Sequence, residues 1–133
     1  MKKKSIAKLK KDVWYAFSLF IRRRDCLLTT GSPEYGECIS CDKSLRIALL
    51  HAGHYVHNKS ATYFNERNVN AQCARCNTYL HGNQVEYRHG LIDRYGEGVP
   101  EEIETEARQE KVFTRPELEG LLEYYKKLIK GSE

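Results

Sequence analysis

The sequence predicts an α+β fold: a small core of a short β-hairpin and a helix, with further helices before and after it. Three observations carry that reading. Two Cys-x-x-Cys pairs, Cys38–Cys41 and Cys73–Cys76, stand 31 residues apart and can staple the intervening segment through one metal ion. That segment holds short apolar runs broken by glycine and turn formers, which suits strands better than helices. On either side of it, apolar residues recur every three or four positions, as on one face of a helix. At 133 residues, with 41% hydrophobic and 30% charged residues, the chain fits one domain (1–133) with a core thin enough to gain from a staple.

In chain order, residues 3–24 read as a helix, because Ile6, Leu9, Val13, Ala16, Phe17 and Phe20 share a face opposite the lysines. It forms a basic N-terminal helix within residues 1–26. Residues 29–37 are turn formers and read as a loop. Two short strands are expected at 45–50 and 54–56, joined around Gly53, followed by a loop over 57–67. A helix is expected over 74–81, closed by Gly82 and Asn83; Asn83 and Glu86 then form a capping box for a helix over 84–95. The core therefore covers 36–95. Beyond it, residues 99–131 carry C-terminal helices to which no chemistry is assigned. Pro100, Glu101 and Glu102 open the first of these, with the acids at its positive end. Thr114 and Glu117 cap the last, whose apolar stripe is Leu118, Leu121, Leu122, Tyr125, Leu128 and Ile129.

A Cys-x-x-Cys pair sets two thiolates about one ion's diameter apart, and two pairs complete the closed tetrahedral shell of structural Zn²⁺. Cys38, Cys41, Cys73 and Cys76 are therefore the expected zinc ligands, in a treble-clef arrangement. Such a zinc contributes folding free energy on the order of several kcal/mol or more. A four-cysteine shell has no open position for substrate, so it stabilises and does not catalyse. Cys26 lies outside the pattern and reads as a buried free thiol. Metal-binding cysteines suit a reducing compartment; the short amphipathic stretch from Trp14 to Ile21, followed by Arg22-Arg23-Arg24, is not expected to act as a signal peptide, and no apolar run has bilayer length. A cytoplasmic location with no membrane partner is expected.

Charge is unevenly spread. Residues 1–24 carry nine Lys/Arg against Asp12, a local net of +8, whereas 97–123 carry a net of −6. A basic half of this kind points to a nucleic-acid-facing surface, while simple solubility accounts equally well for a Lys-rich terminus. Arg22, Arg23, Arg24, Lys59, Arg67, Arg75 and Arg88 are candidate phosphate contacts. No base-reading helix is evident, so recognition of nucleic-acid shape is expected rather than of a sequence. The acidic, amphipathic C-terminal helices are a candidate homodimer face.

Three of the five histidines fall in the window Leu50-His51-Ala52-Gly53-His54-Tyr55-Val56-His57, and a fourth, His81, lies four residues after Asn77. On a helix, positions 77 and 81 share a face, so both side chains can approach one ion. A histidine with oxygen-donating side chains suits Mg²⁺, Mn²⁺ or a transition ion. The order His54, Asn68, Asn77, with Cys73-x-x-Cys76 before the last, resembles the signature of HNH endonucleases, whose fold is the ββα-metal core. A closer resemblance runs from about residue 10 to residue 95. It rests on Trp14, Phe17-Ser18, Ile21-Arg22-Arg23-Arg24-Asp25, Cys38-Ile-Ser-Cys41, Ala52-Gly53-His54-Tyr55, Asn65-Glu66-Arg67-Asn68, Gln72-Cys73, Cys76-Asn77, Gly82-Asn83 and Tyr87-Arg88. Those motifs are similar to the NinG (Rap) family of lambdoid phages, recombination nucleases acting on branched DNA.

The resemblance implies that His54 is the general base, that Asn68 pins the loop orienting it, and that Asn77 binds a catalytic divalent ion, with His81 as an added ligand. It implies phosphodiester hydrolysis leaving 5′-phosphate and 3′-hydroxyl ends, with one Mg²⁺ or Mn²⁺ per site, in the host cytoplasm if the gene is a phage's. The chain departs from the pattern at Gly53, where HNH enzymes carry an Asp or His ligand. His51 stands where the NinG-like pattern has an acid, which makes it the candidate third ligand. His57 is a reserve and His89 lies outside the pattern. Two other readings stay open: a non-catalytic zinc-bound DNA-binding module, which Gly53 favours, and a site-specific HNH enzyme of restriction or homing type. The small size and lack of a separate recognition domain argue against the latter.

Overall fold

Ser5 starts the first helix: its Oγ accepts from the Lys8 backbone N–H at 3.1 Å, satisfying one of the donors a helix N-terminus leaves unpaired. The computed structural model describes residues 3–131, so Lys2 of the basic arm lies outside the described residues. Helix α1 (Ile6–Thr30) runs six residues past the expected end. Its buried face continues through Ile21, Asp25 and Cys26, and nothing stops it before Gly31. There a φ of +75°, which glycine adopts without strain, lets the Gly31 N–H reach back to the Leu27 carbonyl at 3.0 Å. Cys26 is a fully buried free thiol, as expected.

Strands β1 (Tyr35–Glu37) and β2 (Ser44–Arg46) form an antiparallel hairpin whose loop is the first Cys-x-x-Cys. The expected loop over 29–37 thus gives its last three residues to a strand. A single 3₁₀ turn (Ile47–Leu49) leads into β3 (Leu50–His54), which pairs antiparallel with β4 (Val69–Cys73). This corrects the expected strands at 45–50 and 54–56. Gly53 is no turn; it lies inside β3 opposite Asn70. The true partner strand, Val-Asn-Ala-Gln-Cys, is buried at every position, so it lacks the polar alternation that would have marked it.

The second knuckle opens not an α-helix over 74–81 but one π-helical turn (Arg75–Tyr79), after which His81 and Asn83 take positive φ values of 50° and 44°. Helix α2 (Gln84–Tyr95) follows with the expected bounds but without the expected Asn83 cap, because the Asn83 amide donates to Cys76 Sγ instead. Helix α3 (Val99–Ala107) has Pro100 in its first turn. Helix α4 (Arg115–Gly131) begins with the expected capping box: Glu117 N–H donates to Thr114 Oγ1 at 3.3 Å, and Thr114 N–H to Glu117 Oε1 at 3.2 Å.

The α4 stripe packs on α1. Phe17 and Tyr125 meet edge-to-face at 4.9 Å, while Leu9, Val13 and Leu118 bury together beside them. Fully burying each such side chain stabilises by about 1.5–3 kcal/mol. A second cluster joins Ile39, Tyr55, Tyr87, Leu91, Val99 and Ile103. The β3–β4 ladder lies between: Ala52 and Val69 face α1, while Tyr87 of α2 donates its hydroxyl to the Gly53 carbonyl at 2.6 Å. Among the described residues, no helix is long and apolar enough to cross a membrane.

Candidate functional site

The four paired cysteines come together as expected: their sulfurs all lie within 4.8 Å of one another. Cys41 Sγ and Cys73 Sγ stand 3.7 Å apart, where Zn–S bonds of 2.3 Å at the tetrahedral angle call for about 3.8 Å. The cluster can hold a zinc ion. Backbone and amide donors support it: Cys76 N–H points at Cys73 Sγ and Asn83 Nδ2 at Cys76 Sγ, each at 3.4 Å. Such bonds favour thiolates and fix the ligand rotamers.

His54, at the end of β3, is held on three sides. Trp14 of α1 stacks on its ring at 4.9 Å, Tyr63 leans on it at 4.8 Å, and its Nε2 lies 3.0 Å from the Tyr63 backbone oxygen. A carbonyl can only accept, so Nε2 carries the proton and Nδ1 keeps the basic lone pair. Nδ1 has no hydrogen-bond partner among the described residues, and it is not a buried orphan. Burial holds the His54 imidazole below the ordinary histidine range; the Tyr63 carbonyl opposes that shift and the charge of nearby His57 adds to it.

Asn68 holds the loop that carries the Tyr63 carbonyl, bonding the neighbouring Thr62 carbonyl rather than that of Tyr63 itself. The Asn68 amide accepts from Val56 N–H at 2.7 Å and donates to the Val56 and Thr62 carbonyls at 3.1 and 3.0 Å. These three bonds tie both ends of the loop between β3 and β4, and Asn68 is fully buried. Asn68 therefore pins the loop that orients His54, although it touches nothing that can react.

The expected helix-face argument for Asn77 and His81 does not hold, since the π turn ends at Tyr79 and His81 sits exposed beyond it. Asn77 instead meets His51, Nδ2 to Nδ1 at 3.0 Å. Its Oδ1 stands over Gly53: a Cβ placed there would lie 2.9 Å from Asn77 Oδ1 and 1.9 Å from Gln72 Oε1. Successive strand residues point to opposite faces, so His51 and His54 leave β3 on opposite sides. Asn77 is nonetheless over the residue next to His54. His57 lies by Gly82, its ring 3.1 Å from where a Cβ of that glycine would be. His89 is exposed on α2, 3.8 Å from Glu86.

The cradle over Gly53 offers oxygen and imidazole donors, and Gln72 Oε1 is a buried oxygen without a partner. That donor set fits a hard divalent cation. Sequence reasoning gave no role to Trp14, Tyr63 or Gln72. Trp14 and Gln72 were visible only as parts of a family motif, and a backbone carbonyl leaves no trace in residue identity.

The candidate phosphate contacts divide. Arg24 bonds Asp25 and the Glu66 and Val69 carbonyls, Arg22 the Ser18 and Ile47 carbonyls, and Arg23 the Ile129 carbonyl. Arg67 pairs with Glu102, and Arg88 with Glu101 and Glu104. Lys59 and Arg75 are exposed, and their side chains make no ion pair or hydrogen bond among the described residues.

Comparison with known proteins now decides the family. The family described as Bacteriophage Lambda NinG protein matches residues 1–133. The chain belongs to the NinG family. Two similar NinG proteins are those of Escherichia phage lambda, 36% identical, and Salmonella phage P22, 35% identical, each over 90% of this chain and 55% of the relative. That of Enterobacteria phage H19B is 39% identical over 71% of this chain and 44% of its own length. The chain thus spans about half the length of the NinG relatives it matches. No solved structure matches it.

Proposed function

We propose that this NinG-family chain is a metal-dependent DNA endonuclease of the HNH, ββα-metal type, with a structural zinc in a treble-clef core and His54 as general base. One observation carries the reading: the His54 Nε2 proton is fixed on a carbonyl of a loop that Asn68 clamps. This aims a neutral imidazole with a free Nδ1 lone pair, the arrangement a base needs to take a proton from water. Asn77, with His51 beside it and His81 on the adjoining turn, would hold the catalytic Mg²⁺ or Mn²⁺. When bound, that ion neutralises charge on the phosphate and the leaving 3′-oxygen. His54 Nδ1 accepts the proton of the attacking water, while Trp14 and Tyr63 keep bulk water off the ring faces.

The substrate is DNA, branched DNA first, in the host cytoplasm. Lys59 and Arg75 are the readiest phosphate contacts, since the other candidate arginines already bond within the chain: Arg22, Arg23 and Arg24 to backbone carbonyls, Arg67 and Arg88 to glutamates at the surface. The domain comprises the whole of residues 1–133. Association as a homodimer would use surface other than the α4 stripe, which packs on α1. Gly53 favours a second reading, a zinc-bound DNA-binding module without catalysis, because it offers an ion no side chain.

The test is cleavage of supercoiled and four-way-junction DNA with Mn²⁺, comparing the wild type with His54→Ala. We expect 5′-phosphate ends from the wild type and a loss of about 10²–10⁴-fold in the variant. Binding without cutting by either protein, or the same residual cutting by both, selects the second reading.

A further inference from the structure

The Gln72 side chain is fully buried on β4, directly across the ladder from His51, so the two share the face that Asn77 covers. Both protons of its Nε2 are committed, one to Ser40 Oγ and one to the Gly82 carbonyl, each at 2.9 Å. Because the Gly82 carbonyl only accepts, the amide cannot be turned round, and Oε1 must point the other way. It points over Gly53, where it has no hydrogen-bond partner. Asn77 Oδ1, also an acceptor, converges on the same point. Two acceptor oxygens facing one position, with an imidazole alongside, lack a positive charge between them.

We infer that Gln72 Oε1 is a ligand of the divalent cation, supplied from the facing strand together with Asn77 Oδ1, with Gly53 as the gap that admits both. This deepens the endonuclease reading and rests on it. It also answers the objection raised by Gly53. A side chain there would collide with the Gln72 amide, so the strand opposite delivers the oxygen instead. The same amide bonds Ser40 within the first cysteine knuckle, which makes the cation site rigid relative to the zinc.

The test is a titration of the zinc-loaded protein with Mn²⁺, followed by loss of the electron paramagnetic resonance signal of free Mn²⁺. Gln72→Met should weaken binding by about tenfold or more, and Asn77→Ala likewise. Gln72→Glu, which keeps an oxygen and adds a charge but loses both bonds that Nε2 donates, should bind Mn²⁺ more tightly than Gln72→Met. Both variants lose the same two bonds, so the difference between them reads the oxygen, and zinc content with circular dichroism identifies a variant that has lost its fold. Unchanged affinity in Gln72→Met with its zinc intact, or no gain of Gln72→Glu over Gln72→Met, overturns the inference. So does a wild type that binds no Mn²⁺.

Cleavage of junction DNA by the same preparations separates the two claims. Cutting with Gln72-independent affinity removes only the ligand assignment. Gln72-dependent affinity without cutting leaves a metal site and removes the endonuclease.

Discussion

His54 is where chemistry and packing meet most closely. Because burial holds its imidazole below the ordinary range, the neutral base persists to lower pH than a solvated histidine would. The single-turnover cleavage rate should therefore rise with pH and level off with its midpoint below about 6.5. Trp14→Ala, which uncovers one ring face, should move that midpoint up toward the ordinary value. A wild-type midpoint above neutrality would contradict the description. The same shift contributes stability above the unfolded value of about 6.5, which is lost as the pH falls through the lower folded value. At this scale the sequence was legible for the four cysteines, whose convergence depends on spacing. It was mute on Gln72, because a glutamine beside a cysteine is ordinary until the fold buries its Oε1 over Gly53 without a partner.

Among elements, the long α1 does more than the apolar stripe announced. Asp25 is fully buried, accepts the Ala71 N–H of β4 at 2.7 Å, and is paired with Arg24 at 2.8 Å and Arg94 of α2 at 3.2 Å. Arg24 continues to the Asn70 amide oxygen, which Arg94 also reaches. One carboxylate thus locks α1 and α2 to the strand behind the site. Removing one member of a buried ionic network strands its partners, so Asp25→Ala should destabilise by about 3–5 kcal/mol in urea unfolding. A loss under 1 kcal/mol would mean the network contributes nothing net. The helices with long periodic stripes, α1 and α4, were legible with errors only at their ends. The short elements were not: β4 is buried on both faces, and the π turn has no pattern of its own. The elements that carry the site are thus the ones periodicity describes least.

Over the whole molecule, the cysteine cluster and the proposed cation site share one scaffold. The cysteine cluster closes the β1–β2 loop onto the end of β4, and the Gln72 amide links that knuckle to the Gly82 turn beyond Asn77. Family membership and the stapled α+β plan were both readable in advance, because the cysteine spacing and the His-Asn-Asn order survive as linear patterns. What linear order does not express is that His51 and His54, three residues apart, leave their strand on opposite faces. The central claim is that an imidazole and a second cation nevertheless serve one phosphodiester. It is tested most directly by a crystal structure with Mn²⁺ and a DNA strand bound, using anomalous scattering to tell manganese from zinc. The account requires zinc among the four cysteines, manganese at Asn77 over Gly53, and one phosphate touching both that ion and a water on His54 Nδ1. Manganese found away from Asn77, or a phosphate unable to reach both groups, would contradict it.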